Sequence, residues 1–271
     1  MKTEYRKFKL TLCTLGPVHI GSGQLRTARE YILEGDEYYF PDMTLLYDEL
    51  IKQGINEKFE KFLPKEVTFI TSQELENLYP DAKPELNFSN SFELLIATIL
   101  SAQCTDVRVN KVTKELFKDF KTPEDFLSLT IDDLSKYIHS CGFYNSKSKN
   151  ILETCKILVD KYESKVPYDM DSLTKLPGVG RKTANVVISN AFGIPAFAVD
   201  THVFRVTNRI GIIQEDNVLD SEFSLMKKLK KSSWNKAHHL FIFHGRRLCK
   251  SRKPCCEKCI INTECLYYKN L

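Results

Sequence analysis

A chain of 271 residues with 42% hydrophobic and 27% charged residues is long enough for one large domain or two to three small ones, and its balance is that of an ordinary globular protein. The net charge is only +4, no apolar run is long enough to cross a membrane, and the charged N-terminus lacks the apolar core of a signal peptide. These features exclude a membrane-spanning protein and predict a cytoplasmic one. The nine cysteines are therefore not expected to form disulfides.

The first 66 residues have a mixed αβ pattern. Alternating apolar residues predict a strand over 7–14, and two short runs, Tyr31–Leu33 and Glu37–Phe40, predict a hairpin around Gly35-Asp36. Pro41-Asp42 precedes a predicted helix over 43–53, and a shorter helical turn is predicted over 58–62.

From residue 72 onward the apolar spacing is that of helices almost throughout. The predicted helices cover residues 92–102, 107–117, 123–127, 131–138, 146–162, 171–175, 181–190, 201–211, 221–230 and 235–247.

A glycine-containing turn, Leu176-Pro177-Gly178-Val179-Gly180-Arg181-Lys182, separates two of these helices, and Asp200 follows eighteen residues after Lys182. Glycines allow a tight turn whose N–H groups can hold a phosphate at a helix start. In the first helical turn the macrodipole favours the neutral, nucleophilic amine of Lys182, and Asp200 supplies a carboxylate. Taken alone, the pair is better interpreted as a surface lysine and a helix N-cap.

Four cysteines lie within 17 residues in the pattern C-x6-C-x2-C-x5-C. They are Cys249, Cys256, Cys259 and Cys265. Four thiolates suit either a structural zinc site or a [4Fe–4S] cluster, and the spacing alone does not decide between them. Cys255 is interpreted as a bystander, and Cys13, Cys104, Cys141 and Cys155 as small core residues.

A strongly basic stretch surrounds the first of these cysteines. From Phe223 to Cys256 there are ten Lys or Arg and no Asp or Glu. The stretch is either a solvated surface or, since it adjoins the cysteines and follows the glycine turn, a nucleic-acid-binding surface.

Residues from about 75 to 268 resemble the endonuclease III family of helix-hairpin-helix DNA glycosylases with abasic-site (AP) lyase activity. The resemblance rests on Leu100–Asp106, Gly142–Lys147, the turn at 176–182, Val199–Arg205 and the cysteine spacing. It implies a mostly α, two-lobed fold with a [4Fe–4S] cluster in a C-terminal loop and DNA between the lobes. Residues 67–86 with 195–271 would form the cluster lobe, and 87–194 the helical lobe containing the hairpin.

The resemblance also implies roles for individual residues. In a bifunctional enzyme that removes damaged pyrimidines, Lys182 would attack C1′ of a flipped nucleotide and form a Schiff base, and Asp200 would stabilise the positive charge on the sugar. Gln103 would fill the gap left by the flipped base, with a buried helix-terminal glutamine as the alternative. Phe143, where the family usually has an aliphatic wedge, would insert between bases. The remaining expected DNA contacts are Gly178, Gly180, His202, Arg246, Arg247, Lys250, Arg252 and Lys253. His202 would contact a phosphate or support Asp200, with a structural histidine as the alternative.

Residues 1 to about 64 resemble the start of a RAMP-family subunit of a type III CRISPR effector complex, on Leu12–Gly23 and Tyr39–Asp42. The resemblance implies a partial appendage, His19 in a structural or RNA-backbone role, and a possible partner in an RNA-guided complex. The complete protein is expected to be a monomeric, nucleoid-associated enzyme that acts on double-stranded DNA with damaged bases or abasic sites. Two alternatives remain open: an adenine-specific relative, disfavoured by Lys182, and a non-catalytic nucleic-acid-binding module.

Overall fold

The computed structural model describes residues 32–34, 37–39 and 74–271. The chain divides into two compact units, residues 1–65 and 66–271. In the first unit, β1 (Ile32–Glu34) pairs antiparallel with β2 (Glu37–Tyr39), so that Ile32 faces Tyr39 and Glu34 faces Glu37. The predicted hairpin is therefore confirmed to within one residue at each end. The predicted strand over 7–14, the helices over 43–53 and 58–62, Cys13 and His19 lie outside the described residues.

The second unit is helical, as the sequence predicts. Residues 74–78 form a short helical segment. The helices that follow are α1 (Ser91–Ser101), α2 (Asp106–Asp119), α3 (Pro123–Leu127), α4 (Ile131–Ile138), α5 (Tyr144–Tyr162), α6 (Met170–Leu173), α7 (Arg181–Ala191), α8 (Thr201–Ile210), α9 (Val218–Lys228), α10 (Trp234–Arg247) and α11 (Leu266–Lys269). Short 3₁₀ turns cover His139–Cys141, Lys231–Ser233 and Cys256–Lys258.

Side-chain caps explain where most helices begin. Asn90, Thr105, Thr122 and Thr130 each accept a hydrogen bond from the backbone N–H three residues later, at the starts of α1 to α4. Asn217 does the same for α9, which therefore starts at Val218 instead of the predicted residue 221. Helix α11 was not predicted from the sequence.

Two separate hydrophobic cores organise this helical unit. The first lobe packs α1 to α7 around buried residues such as Leu95, Phe126 and Ile151. The second lobe packs the segment after residue 74 and α8 to α10 around a core that includes Phe197 and Phe241. Fully burying each large side chain of this kind stabilises the fold by about 1.5–3 kcal/mol. The lobe boundaries drawn from the sequence stay a prediction.

No helix in the described part of the chain has both the length and the apolar character that crossing a membrane requires.

Candidate functional site

The glycine turn connects α6 to α7 as a tight hairpin. The N–H of Val179 donates to the carbonyl of Leu176 at 3.0 Å, and both side chains are buried. The hydroxyl of Thr154, on α5, donates to the carbonyl of Pro177 at 3.0 Å. The hairpin is therefore held from behind by α5, and its tip faces outward.

The start of α7 is left free of side-chain caps. Gly180 precedes the helix without a side-chain cap, and the first turn contains no acidic residue. Gly178 and Gly180 are both exposed, as is Lys182 in the first turn. Uncapped N–H groups at an exposed helix start form a site that favours an anion such as phosphate.

Asp200 caps α8 with one carboxylate oxygen. Its Oδ1 accepts from the backbone N–H groups of His202 and Val203, each at 2.8 Å. Within residues 74–271 its Oδ2 has no hydrogen-bond partner, which leaves this oxygen available to a ligand. The N-cap role weighed from the sequence is thus present, and it uses only half of the carboxylate.

The segment before Asp200 has no regular secondary structure and is fixed from both lobes. The amide of Asn185, on α7, donates to the carbonyl of Phe197 at 3.1 Å, and Nδ1 of His238, on α10, lies 2.7 Å from the carbonyl of Ala198. Burial lowers the pKa of His238, so its ring is neutral and donates through Nδ1. Asp200 is consequently held in a defined position relative to α7 and Lys182.

Asp106, at the first position of α2, joins the same site and was not assigned a role from the sequence. Burial raises the pKa of its carboxyl, Lys182 lowers it and Asp200 raises it, so all three groups lie within one electrostatic neighbourhood. Its Oδ2 accepts from Arg246 Nη2 at 3.0 Å. The only sequence signal was its place at the end of the Leu100–Asp106 motif.

The basic residues expected to contact DNA fall into two groups. Arg246 pairs with Glu85 and Asp106, and Arg247 pairs with Asp81 at 2.6 Å while its guanidinium stacks over Phe243. In contrast, the exposed side chains that follow α10 have no carboxylate partner in the described part of the chain. They are Lys250, Arg252 and Lys253.

Gln103 and Phe143 both lie on exposed loops of the first lobe. Gln103 follows α1 with φ of 53°, and Phe143 precedes α5 with φ of 48°. Both values are in the left-handed region that residues other than glycine rarely occupy. Phe143 is 66% exposed, and Gln103 is exposed too, so the buried-glutamine alternative is wrong.

His202 is half-buried and packed between helices. Arg205 Nη2 donates to its Nδ1 at 3.2 Å, and a Cβ added at Gly245 of α10 would stand 3.0 Å from its Cβ. His202 also donates its backbone N–H to Asp200, which links it to the site through the main chain.

The four spaced cysteines line one small pocket, and Cys255 lines it too. Burial raises the pKa of the Cys259 thiol to about 11, and Cys265, Cys249 and Cys256 add to this rise. Nε2 of His244 lies 3.6 Å from Cys259 Sγ. Among the described residues, no three His, Cys, Asp or Glu side chains converge closely enough to hold a single metal ion. Cys141 and Cys155 are buried as expected, whereas Cys104 is half-buried.

Comparison with known proteins gives a consistent family. Residues 96–231 match the HhH-GPD superfamily of base excision DNA repair proteins. Endonuclease III of Bacillus subtilis is 50% identical over 190 residues, which are 70% of this chain and 87% of that protein. Endonuclease III of Escherichia coli K12 is 49% identical over 188 residues, 69% of this chain and 89% of its own.

Solved structures agree with these relatives. A non-covalent endonuclease III–DNA complex has a TM-score of 0.73 at 48% identity and covers 77% of this chain and 98% of its own. A trapped endonuclease III–DNA covalent intermediate has a TM-score of 0.72 at 48% identity, and the match covers 76% of this chain and 98% of that one. The chain therefore belongs to the endonuclease III family and is a base excision repair DNA glycosylase and AP lyase.

Proposed function

We propose that this enzyme removes oxidised pyrimidines from duplex DNA and cleaves the resulting abasic site through a Schiff base on Lys182. The main support is the arrangement of an exposed lysine in the uncapped first turn of α7 near the carboxylates of Asp200 and Asp106. A base inside a duplex cannot be reached by that amine, so the target nucleotide must be flipped out.

The reaction follows from these groups. The nitrogen of Lys182 forms a bond to C1′ as the C1′–N bond to the base breaks, and the departing base takes up the proton that the amine gives up. The C1′–O4′ bond then breaks, O4′ becomes a hydroxyl, and C1′ and the lysine nitrogen form an imine. Loss of a C2′ proton then expels the 3′ phosphate by β-elimination. Asp200, through the oxygen that does not cap α8, stabilises the positive charge that develops on the sugar.

DNA binding is proposed to use two kinds of contact. The N–H groups around Gly178 and Gly180 hold one backbone phosphate, and Lys250, Arg252 and Lys253 add phosphate contacts that depend on salt. Arg246 and Arg247 are already ion-paired, so they shape the surface of the second lobe and reach DNA only by exchanging a carboxylate for a phosphate. His202 supports Asp200 from behind.

Gln103 and Phe143 are proposed to enter the duplex. Their exposed side chains stand on adjacent loops of the first lobe, where an amide can fill the gap left by the flipped base and an aromatic ring can separate a base step.

The four cysteines are proposed to hold a [4Fe–4S] cluster, as is typical of the family. Four thiols line one pocket, and a [4Fe–4S] cluster takes four cysteine ligands. When bound, the cluster would be structural and would tie the loop over 249–265 to α8 and α10.

A borohydride experiment tests the Schiff base. The enzyme is incubated with duplex DNA that contains an abasic site, borohydride is added, and the covalent adduct is measured on a denaturing gel. We expect an adduct with wild type and with Lys175→Gln, an exposed lysine of the same hairpin, but none with Lys182→Gln. An undiminished adduct in Lys182→Gln would reject the proposed nucleophile.

Iron and labile sulfide analysis tests the cluster. The purified protein is expected to be brown, with about four iron and four sulfide per chain. Cys265→Ala should lower both contents, whereas Cys255→Ala should leave them unchanged. A colourless protein with one bound zinc would contradict the assignment.

A further inference from the structure

Two neighbouring loops of the first lobe keep an unfavourable backbone conformation while presenting their side chains to solvent. Gln103 and Phe143 have φ of 53° and 48°, and neither is a glycine. Left-handed backbone at such residues persists only where surrounding contacts hold it. Contacts with the rest of the lobe must therefore hold these two loops in place.

A single buried side chain bonds to both loops. Lys147, in the first turns of α5, is 5% exposed, and its Nζ donates to the carbonyls of Leu100 at 2.8 Å, Ala102 at 2.7 Å and Cys141 at 2.8 Å. An ammonium group has three donors, so all of them are used. Two of the acceptors end α1 just before Gln103, and the third lies two residues before Phe143.

The charge of Lys147 is balanced by carbonyl dipoles instead of by a carboxylate. Within residues 74–271 no acidic side chain pairs with its Nζ, and two of its acceptors belong to the negative end of the α1 dipole. Burial lowers the pKa of Lys147, and Cys104 and Cys141 oppose that shift. Burying a lysine without an ion pair is costly, so its place here calls for a specific reason.

The two loops also bring their thiols near each other. Burial raises the pKa of the Cys141 thiol to about 11, and Cys104, next to Gln103, adds to this rise. Lys147 and these two thiols thus lie between the residues that would enter DNA.

We propose that Lys147 is a positioning residue that fixes the spacing of the Gln103 and Phe143 loops and so sets how both side chains enter the duplex. This inference rests on the proposed insertion of Gln103 and Phe143. A residue that only closed the end of α1 would stabilise the lobe, and replacing it would affect duplex and single-stranded DNA equally. The two roles therefore differ in which substrate is affected.

The test uses the full chain and two DNA probes. The first is a duplex with a non-cleavable tetrahydrofuran abasic analogue beside 2-aminopurine, whose fluorescence rises when a wedge unstacks it. The second is a single-stranded abasic oligonucleotide, which needs Lys182 but no duplex opening. The variant is Lys147→Met, which keeps the length of the side chain and removes its donors. Lys156→Met, an exposed lysine on the same helix, is the control.

We expect Lys147→Met to bind the duplex about tenfold more weakly with a smaller fluorescence rise, because misplacing a contact by about 1 Å has effects of this size or larger. Its adduct with the single strand should equal that of wild type and of Lys156→Met. Wild-type fluorescence and affinity in Lys147→Met, or equal losses on both probes, would overturn the inference. Because the tetrahydrofuran probe undergoes no chemistry, a wild type inactive on the single strand would reject the Schiff base while the fluorescence still tests Lys147.

A comparison with a triple variant keeps the test decisive. Adding Lys147→Met to Gln103→Ala/Phe143→Ala should cause no further loss of duplex affinity if Lys147 acts through these residues, and an additive loss would contradict the inference. If Lys147→Met does not fold, Lys147→Arg serves instead, since a planar guanidinium keeps the charge but cannot place three donors from one nitrogen. It should show the same selective loss on duplex DNA.

Discussion

At the scale of single residues, the hairpin has glycine at two positions for different physical reasons. Gly178 has φ of 77°, and a Cβ there would stand 3.1 Å from Nδ2 and 3.2 Å from Cβ of Asn150. Gly180 has an ordinary φ of −87° and open space where a methyl group would be added. We expect Gly178→Ala to lower the free energy of unfolding by about 1–2 kcal/mol, because alanine is strained in that conformation.

Gly180→Ala should instead lower the free energy of unfolding by less than about 1 kcal/mol, because alanine caps a helix less well than glycine. It should weaken duplex binding several-fold, because its methyl group would stand where a phosphate approaches the N–H groups. Duplex binding equal to wild type in this variant would mean that no phosphate comes close at Gly180.

Sequence motifs predicted the residues whose chemistry is local, and missed those that depend on distant partners. Lys182 and Asp200 were predicted from a turn and a spacing that one stretch of sequence contains. Asp106 and Lys147 were not, because their significance comes from Arg246, 140 residues later, and from carbonyls up to 47 residues away. Only the folded chain brings these groups together.

At the scale of elements, Arg181 and Glu222 join α7 of the first lobe to α9 of the second beside the proposed nucleophile. Arg181 Nε lies 3.0 Å from both carboxylate oxygens and Nη2 lies 2.7 Å from Oε1, while the Glu222 side chain is 5% exposed. Because the Arg181 side chain is 41% exposed and can be hydrated when freed, we expect Glu222→Gln to cost only about 1–2 kcal/mol in urea unfolding.

The matched control for that measurement is Glu163→Gln. The Glu163 side chain is 86% exposed and pairs with Lys165, so this pair should contribute nothing measurable to the free energy of unfolding. Equal midpoints for the two variants would show that the Arg181–Glu222 pair does not hold the lobes together.

A polar cap marks some helix starts in the sequence but not all, since α9, capped by Asn217, starts three residues before the predicted Ser221. The start of α3 has a capping box between Thr122 and Asp125, and its predicted bounds are confirmed. By contrast, α5 begins two residues before the predicted Ser146, because left-handed Phe143 precedes it without a side-chain cap. Such a start leaves no sequence signal, since its conformation is imposed by tertiary contacts.

At the scale of the whole molecule, the described residues of both hydrophobic cores lie after residue 74, and the match to the HhH-GPD superfamily covers residues 96–231. We therefore expect that deleting residues 1–66 leaves AP lyase activity largely intact, measured by borohydride trapping of the truncated protein beside the full chain. A truncated protein that is soluble and loaded with iron but forms no adduct would show that the first unit is needed for activity.

The discontinuous second core has a consequence for how the protein is made. Leu75, Tyr79 and Ala82 pack with Phe197 and with residues as far along as Ile261. The first core, by contrast, draws on one continuous stretch, 92–196. During synthesis that stretch can fold as soon as it leaves the ribosome, whereas the apolar face of residues 75–82 waits about 115 residues for Phe197 and nearly 180 for Ile261, its last partner among the described residues. Over that interval this face is open to chaperones, proteases and aggregation, so the second lobe is the one whose yield in the cell should depend on translation speed and chaperone supply.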